Sequence, residues 1–371
     1  MEYKVSLSKP YITQEDIAVV TEALNSSQLS LGQWTRRFEE SFAQSIGTTY
    51  AVAVSSGTAA LHLSMRALQI APGDEVITSP FSFIASSNCI LYEQGKPVFV
   101  DIEEETLGID PLQVEPVITG RTKAILPVHV FGQACDMDSI MNVANSHSLS
   151  VIEDCCEAIQ TQFKGKNVGT FGHMSTFGFY PNKQMTTGEG GMLLTNDEQV
   201  YRMVKSLGNQ GRGTNLEWLV HDQLGYNYRI SELTAALGYS QTQKLPEILE
   251  KRRELAAFYI EELAGIDAIK LPKSNSDTEY SWFVFHIRVD QKIRDSLLVK
   301  LNEKGIQCKA YFYPCIHLQP YYRERFGYQK GMFPIAERVS REVIVLPFFT
   351  TMTQEDVYTV KDALVQSLSE L

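Results

Sequence analysis

The chain has 371 residues, of which 44% are hydrophobic and 21% charged, so it can bury a large core, and it contains no low-complexity tract or internal repeat. A formal net charge of −11 and the lack of a Lys/Arg run argue against nucleic acid as a partner. No stretch reaches the roughly 18 consecutive apolar residues of a membrane helix, and the first residues lack a signal-peptide core, so we expect a cytoplasmic protein with no membrane partner. The six cysteines form no CxxC pair, and we assign them neither a disulfide nor a metal.

Short apolar runs alternate with amphipathic runs through the first half of the chain. This alternation is typical of a parallel sheet with helices on both faces and predicts the α/β fold class. Ligands of such sheets bind outside the carboxyl ends of the strands. The strand-like runs are "YAVAV", "DEVITSP", "KPVFVDI", "KAILPVHV", "LSVIEDCC" and "STFGFY", and helix-like runs between them are "TAALHLSMRALQI", "SFIASSNCILYEQG" and "MDSIMNVANSHS".

The pattern changes near Pro246, which interrupts two helix-like stretches between Ile230 and about Ile266. We expect a hinge there, with a large domain of residues 1–245 and a smaller α+β domain of residues 246–371. In the smaller domain, "YSWFVFHIRVD" and "IQCKAYFYP" are strand-like and "IRDSLLVKLNEKG" is helix-like. The box-like "TQED" beginning at Thr353 opens a last helix.

The first strand is followed by a turn, Ser55-Ser56-Gly57-Thr58, and then by a helix. The N-terminus of a helix offers free N–H groups and the positive end of its dipole, and hydroxyls and a glycine beside it suit a phosphate group. An ordinary helix cap is the alternative. Because the chain has no GxxxxGK[ST] motif and no GxGxxG that opens a helix, a nucleotide-triphosphate or dinucleotide loop is excluded.

A carboxylate, Asp154, ends the apolar run "LSVIED". Such a group is costly at the end of a buried strand unless it meets a cation or hydrogen-bond donors. Asp154 therefore requires a partner, although a helix cap or a structural ion pair would also meet that need.

A lysine, Lys183, follows the strand-like "STFGFY" and precedes "TTGEGG". A lysine whose pocket lowers its pKa can form a Schiff base with an aldehyde. Pyridoxal phosphate uses all three features together, because it takes a lysine for its aldehyde, an acid for its ring nitrogen and an anion site for its phosphate. The three features in one chain therefore indicate this cofactor.

Five motifs in one order, Ser56-Gly57-Thr58, "SFIAS", "VIEDCCEA", "FYPNKQMTTGEGG" and "YNYRISELTAALG", resemble the DegT/DnrJ/EryC1/StrS family of nucleotide-sugar aminotransferases. The resemblance extends from about Lys9 to the last helix. It implies the fold of type I pyridoxal-phosphate enzymes, with a mostly parallel seven-stranded sheet in the large domain. It also implies that Lys183 bonds covalently to the cofactor and that Asp154 binds its ring nitrogen.

Further residues are assigned through the resemblance alone. Ser56, Gly57 and Thr58 would bind the phosphate, and Phe83 would lie against the face of the ring. Asn227 matches a residue that reaches the cofactor of a neighbouring subunit, which implies a homodimer with shared sites. Arg229 would act at the same interface or on the substrate. Two histidines are weaker candidates: His317 would approach the substrate from the small domain, and His129 would line the pocket unless it is a core residue.

Two positions depart from the family pattern. Glu157 stands where the family usually has His or Gln against the ring hydroxyl of the cofactor, and a carboxylate there would repel a phenolate unless one of them is protonated. Gly178 stands where a serine commonly donates to the phosphate. We expect Thr58, Ser56 or backbone N–H groups to replace that donor.

The resemblance implies transfer of an amino group from an amino acid, expected to be L-glutamate, to a keto-sugar nucleotide. The "TTGEGG" form favours a 4-keto-6-deoxy sugar. A cyclitol aminotransferase is an alternative, because it would use nearly the same residues. A sugar dehydratase of this family would replace the lysine by histidine, so Lys183 argues against it, and a regulator that binds the cofactor without turnover is the remaining alternative.

Overall fold

The structure, a computed structural model, describes residues 3–213, 219–273 and 276–371. Strands and helices alternate along the first half of the chain, as the sequence predicts. The strands are β1 (Tyr50–Val54), β2 (Glu75–Thr78), β3 (Lys96–Phe99), β4 (Thr122–Leu126), β5 (Ser150–Asp154), β6 (Gln162–Phe163), β7 (Lys166–Asn167), β8 (Met174–Gly178), β9 (Gly191–Thr195), β10 (Ile269–Lys270), β11 (Thr278–Glu279), β12 (Phe285–Val289) and β13 (Val343–Leu346). The helices are α1 (Gln14–Asn25), α2 (Gln33–Ile46), α3 (Gly57–Ala67), α4 (Ala85–Tyr92), α5 (Met137–Ser146), α6 (Glu198–Gly208), α7 (Glu232–Gln243), α8 (Leu245–Leu263), α9 (Arg294–Glu303), α10 (Pro320–Phe326), α11 (Pro334–Glu342) and α12 (Gln354–Ser369).

A seven-stranded sheet with the order β1-β9-β8-β5-β4-β2-β3 forms the centre of the molecule. Strands β8, β5, β4, β2 and β3 are parallel to their neighbours, and β9 is antiparallel to both β1 and β8. The predicted mostly parallel α/β sheet is therefore confirmed. Because β9 is reversed between β1 and β8, the carboxyl ends of β1, β8 and β5 lie at the same edge of the sheet.

Both faces of this sheet are buried, as expected when helices cover a parallel sheet on both sides. The side chains of β1 alternate between two core clusters, with Val52 and Val54 in one and Ala51 and Ala53 in the other. Helices α3, α4 and α6 contribute to the first cluster, and α2, α5 and α7 contribute to the second. The sheet is thus a rigid layer that fixes the relative positions of its strand ends.

The helical region after the sheet follows the sequence closely. Helix α7 ends at Gln243 and α8 begins at Leu245 with Pro246 in its first turn, so the predicted interruption is confirmed. In the last helix, the Thr353 side chain accepts from the Asp356 N–H and the Asp356 side chain accepts from the Thr353 N–H, which confirms the predicted capping box. Within the residues described, no helix is long and apolar enough to span a bilayer.

The C-terminal part contains a three-stranded sheet of β10, β12 and β13 with its own core cluster. The cluster draws mainly on residues after 254, with Val5 added from the N-terminal segment. The domain boundary at 245/246 stays a prediction. The strand predicted for "IQCKAYFYP" is wrong, because residues 306–314 form isolated bridges, such as Lys309 with Val345, and turn away from the small sheet.

The segment after β3 binds the C-terminal part to the main sheet. Asp101 accepts hydrogen bonds from the N–H groups of Ile335 and Ala336 at 2.9 and 2.8 Å and so caps α11. Nearby, the Glu104 carboxylate contacts Arg338 at 2.6 Å and Arg288 at 2.8 Å. Hydrogen bonds from these two arginines lower the pKa of Glu104 from 4.5 to about 2.

Replacement of Glu104 by glutamine should make stability less sensitive to acid. Because its folded pKa lies below the ordinary value, Glu104 stabilises the fold above about pH 4.5, and this contribution is lost as the pH falls towards about 2. Urea unfolding of the wild type and of Glu104→Gln should therefore differ most near neutral pH, with the difference shrinking in acid. Glu105→Gln, which removes a more exposed carboxylate paired with Lys273, is the control. A difference for Glu104 that is constant with pH would contradict the assignment.

Candidate active site

The shared edge of the sheet opens into a cavity of about 790 Å³. This volume is that of a typical small-molecule site. The main sheet and the segment 310–316 of the C-terminal part both contribute to its walls. Seven of the residues predicted from the sequence line it together: Ser56, Gly57, Thr58, Phe83, Asp154, Glu157 and Lys183.

Asp154 ends β5 with its carboxylate in the wall of the cavity, where the residue is only 4% exposed. One oxygen accepts a hydrogen bond from the Ser86 hydroxyl at 2.7 Å, and the other accepts from the Cys156 N–H at 3.1 Å. Among the described residues no cation pairs with this carboxylate. A buried charge without a counter-ion is costly, so the cavity is suited to a ligand that brings a positive charge to Asp154.

Lys183 lies on the turn after β8, where its N–H donates to the Tyr180 carbonyl at 2.9 Å. Its side chain is 14% exposed and enters the cavity. The ammonium Nζ is 3.9 Å from the centre of the Phe283 ring and 3.4 Å from Glu157 Oε1. Lys183 therefore faces an aromatic ring and a carboxylate in the same cavity as Asp154, and is not a solvated loop residue.

Glu157 lies in the turn after β5, and its side chain is 9% exposed. Its Oε2 accepts a hydrogen bond from the Phe131 N–H at 2.9 Å. Phe131 has φ of +59° and is followed by Gly132 at +92°, so a strained backbone presents this N–H. Burial raises the pKa of Glu157, although the nearby Lys183 opposes the rise.

The start of α3 forms a cradle at the other side of the cavity. The Ser56 hydroxyl accepts from the Ala59 N–H at 3.0 Å, which is an N-cap, and the N–H groups of Gly57 and Thr58 have no acceptor within the helix. A Cβ at Gly57 would lie 2.9 Å from the Cys156 sulfur and 3.2 Å from the Gly178 Cα. The glycine is therefore needed for close packing of the helix start, so that both the cap and the anion-site interpretations of this turn hold.

Aromatic side chains surround the opening of the cavity. Phe83 is 63% exposed, so it is not the core residue that its sequence context alone would suggest. Sequence reasoning missed Ser86, Phe283 and Tyr311, which contact Asp154, contact Lys183 and line the cavity respectively. Ser86 stands in the quoted "SFIAS", but nothing in its spacing connects it to Asp154, 68 positions later.

Two predicted residues lie outside this cavity. Asn227 is exposed, and its backbone pairs with Asn209 after α6. The Arg229 guanidinium donates to the side-chain oxygens of Asn209 and Gln210 at 2.9 and 2.6 Å and lines a separate cavity of about 230 Å³ beside α2 and β1. In a single chain, neither residue reaches the site of Lys183.

The two histidines are core residues. His317 is fully buried, with Nε2 at 3.1 Å from Glu337 Oε1, and it is absent from the described lining of the cavity, so the expected approach to a substrate is not what the structure shows. His129 is also fully buried, and its Nδ1 accepts from the Cys135 N–H. Its Nε2 therefore donates to Glu153, at 3.2 Å. Cys155 lies close enough to form a metal-ligand set with this pair, but three backbone N–H groups already donate to the Glu153 carboxylate.

Pyridoxal phosphate fits these residues. The Asp154 carboxylate lacks a cation, and a protonated ring nitrogen would supply one. The Lys183 amine, in the same cavity, would take the aldehyde. The N–H groups and hydroxyls at the start of α3 would bind the phosphate.

The family model of the DegT/DnrJ/EryC1/StrS aminotransferases matches residues 10–365. The chain is 38% identical to GDP-perosamine synthase of Escherichia coli O157:H7, with 100% of each chain covered. It is similar to the crystal structure of S. venezuelae DesV in complex with a ketimine intermediate, at 34% identity and a TM-score of 0.90 over 95% of this chain and 94% of that one. It is also similar to NtdA of Bacillus subtilis with bound cofactor PMP, at 31% identity and a TM-score of 0.89 over 96% of this chain and 83% of that one.

Introduction of serine at position 178 should strengthen binding of pyridoxal phosphate. A Cβ at Gly178 would meet the Cys156 sulfur at 3.4 Å and the Gly57 Cα at 3.6 Å, which are ordinary contacts, so the position can accept a small side chain. A hydroxyl that donates to a charged phosphate contributes about 1 to 2 kcal/mol, or roughly tenfold in Kd.

The matched control is Gly178→Ala, which adds the same Cβ without the hydroxyl. Equilibrium titration of each apoprotein with pyridoxal phosphate should show tighter binding only for Gly178→Ser. Equal affinities for the serine and alanine variants would show that this position does not face the phosphate.

Proposed function

The chain belongs to the DegT/DnrJ/EryC1/StrS aminotransferase family and is a pyridoxal-phosphate-dependent sugar aminotransferase, and from this premise we propose that it transfers an amino group from L-glutamate to a keto sugar linked to a nucleotide. The acceptor in this proposal is a 4-keto-6-deoxy hexose. The observation that carries it is the presence of Lys183 and the unpaired carboxylate of Asp154 in one cavity. Similarity to a GDP-perosamine synthase, whose name contains a GDP-linked sugar, supports a nucleotide-linked acceptor.

Each residue has a separate task in this reaction. When bound, pyridoxal phosphate supplies an aldehyde and an electron-accepting ring. Asp154 holds a proton on the ring nitrogen by charge, and Ser86 keeps its carboxylate in place at 2.7 Å. Lys183 anchors the cofactor and, when displaced by an amino acid, takes a proton from the Cα of the donor and returns it on the acceptor side.

The nature of residue 183 separates the main proposal from dehydration. A dehydratase of this family would carry histidine at this position, and the Nζ of Lys183 instead enters the cavity beside Phe283. A lysine that can both anchor the cofactor and carry the Cα proton suits transamination. A cyclitol ketone and a non-catalytic role are tested below together with the sugar.

We also propose that two copies of the chain form the active enzyme. Asn227 is exposed and lies outside the cavity of its own chain, so any contact with a cofactor requires a second copy. Exposed apolar side chains on the same segment, Leu219 at 62% and Leu224 at 78%, would gain from being covered. The cytoplasmic location expected from the sequence stays a prediction.

Replacement of Lys183 by alanine should abolish both cofactor anchoring and amino transfer. The wild type should absorb near about 410–430 nm, as pyridoxal bonded to lysine does. This band should disappear when glutamate is added and return with one acceptor from a panel of UDP-, dTDP- and GDP-linked keto sugars and a cyclitol ketone. Lys183→Ala should show neither response, whereas the control Lys270→Ala, at an exposed strand residue, should keep both.

The outcomes separate the candidate functions. Return of the band with a sugar nucleotide alone would establish the proposed reaction and identify the acceptor. Return with the cyclitol ketone alone would replace the sugar by a cyclitol. A band that ignores every amino donor would indicate a regulator that binds the cofactor without turnover, and normal turnover by Lys183→Ala would refute the anchor.

Mixing two inactive variants should restore activity if sites are shared between subunits. Asn227→Ala and Lys183→Ala each damage both sites of their own homodimers. In a mixed dimer, one site combines an intact Lys183 with an intact Asn227, so a reassembled equal mixture should reach about a quarter of wild-type activity. Failure to regain activity, with mixed dimers shown by native mass spectrometry, would contradict sharing through Asn227.

A further inference from the structure

Glu157 is a buried acid that depends on one cation. Among the described residues, Lys183 is the only positive group paired with its side chain, at 3.4 Å, and the Phe131 N–H is its other donor. Two further titratable groups face it from other elements, Asp154 from β5 and Tyr311 from the C-terminal part, and neither carries a positive charge. The state of Glu157 is therefore coupled to that of Lys183.

Lys183 has to lose a proton before it can react with an aldehyde. An ammonium has no lone pair, so the attacking species is the neutral amine. The face of the Phe283 ring, 3.9 Å away, favours the charged form. A proton acceptor beside Nζ is therefore required, and Glu157 is the carboxylate within contact distance.

We propose that Glu157 is the proton acceptor that activates Lys183 for attachment of the cofactor. The N–H bond of the Lys183 ammonium breaks, an O–H bond forms on Glu157, and the lone pair left on Nζ attacks the aldehyde carbon. The oxygen of the aldehyde leaves as water when attachment is complete. Nothing is oxidised or reduced, and the proton remains within the pair as Glu157 becomes a carboxylic acid.

Burial favours this direction of proton transfer. A carboxylate with one backbone donor and a distant ammonium is poorly solvated, and the raised pKa of Glu157 agrees with a group that readily holds a proton. Once Lys183 is bonded to the aldehyde, Glu157 no longer faces the free ammonium. A neutral acid then avoids an unpaired buried charge and can face the ring hydroxyl without repulsion.

The inference rests on the proposed function, because it assumes that Lys183 takes pyridoxal phosphate. Its test follows the loading of full-length apoprotein with pyridoxal phosphate, without any amino donor. Stopped-flow absorbance gives the rate of attachment between about pH 6.5 and pH 8.5, and borohydride reduction with mass spectrometry shows that Lys183 is the residue modified. The ratio of the rates of two variants cancels the titration of the free aldehyde.

Proton exchange inside a coupled pair does not depend on pH between the two titrations of the pair. The wild-type rate, corrected for the aldehyde, should therefore be flat over this range. In Glu157→Gln, which keeps the shape but cannot take the proton, the rate should fall about tenfold for each unit of pH decrease. Glu157→Asp, which restores a carboxylate, should recover the flat profile.

The control for loss of negative charge is Glu189→Gln, because Glu189 is an exposed acid in the wall of the same cavity. It should keep the wild-type profile. A wild-type rate that rises tenfold per pH unit would overturn the proposal, since Glu157 would then only hold the ammonium. Flat profiles in both wild type and Glu157→Gln would also overturn it, because Lys183 would be neutral without help.

These results are separable from the proposed function. Failure of the wild type to load at Lys183 would refute the anchor itself. Normal loading with the wrong pH profile would refute only the role of Glu157.

Discussion

The uncompensated carboxylate of Asp154 is the constraint on which the site depends. A charge at the end of a buried strand is tolerated because Ser86 and the Cys156 N–H donate to it, and because the cavity leaves space for a cation. The protein therefore carries a free-energy cost that a positively charged ligand relieves. This is a source of affinity that depends on the protonation of the ligand and is independent of its shape.

The same economy of charge separates the two sides of the cavity. Lys183 could in principle neutralise Asp154, yet its ammonium contacts Glu157 and the Phe283 ring. Two acids and one base thus occupy one cavity with only one pair formed. The arrangement keeps an acid available for the ring nitrogen and a lysine available for reaction, because the second acid, Glu157, holds the lysine apart from the first.

The sequence predicted most of the fold because the elements that carry the site are periodic and local. The strand of residues 50–54 and the helix break at Pro246 were read directly from apolar spacing and a proline. The segment "IQCKAYFYP" was misread as a strand, because its apolar residues cover the cavity and the core beside it instead of pairing in a sheet.

The site was only partly predictable for the same physical reason. Lys183 and Asp154 have chemistry that a pattern can indicate, whereas the partners of these residues arise from tertiary packing. Ser86 and Phe283 are an ordinary serine and an ordinary core-like phenylalanine until the fold places them beside Asp154 and Lys183. His317 shows the opposite error, because a histidine in a polar-looking motif is held in the core by Glu337.

The contact of Gly57, Gly178 and Cys156 sets the depth at which α3 begins. With no side chain at either glycine, the backbone of the helix start rests almost directly on the end of β8 and on one sulfur atom. The volume of residue 156 therefore acts as a spacer beneath the helix: a larger side chain would lift the anion-binding turn and a smaller one would let it sink. Residue 156 never has to contact a ligand to change how long a molecule fits between that turn and Lys183, so sequence drift at this one position would be expected to be coupled to drift at both glycines.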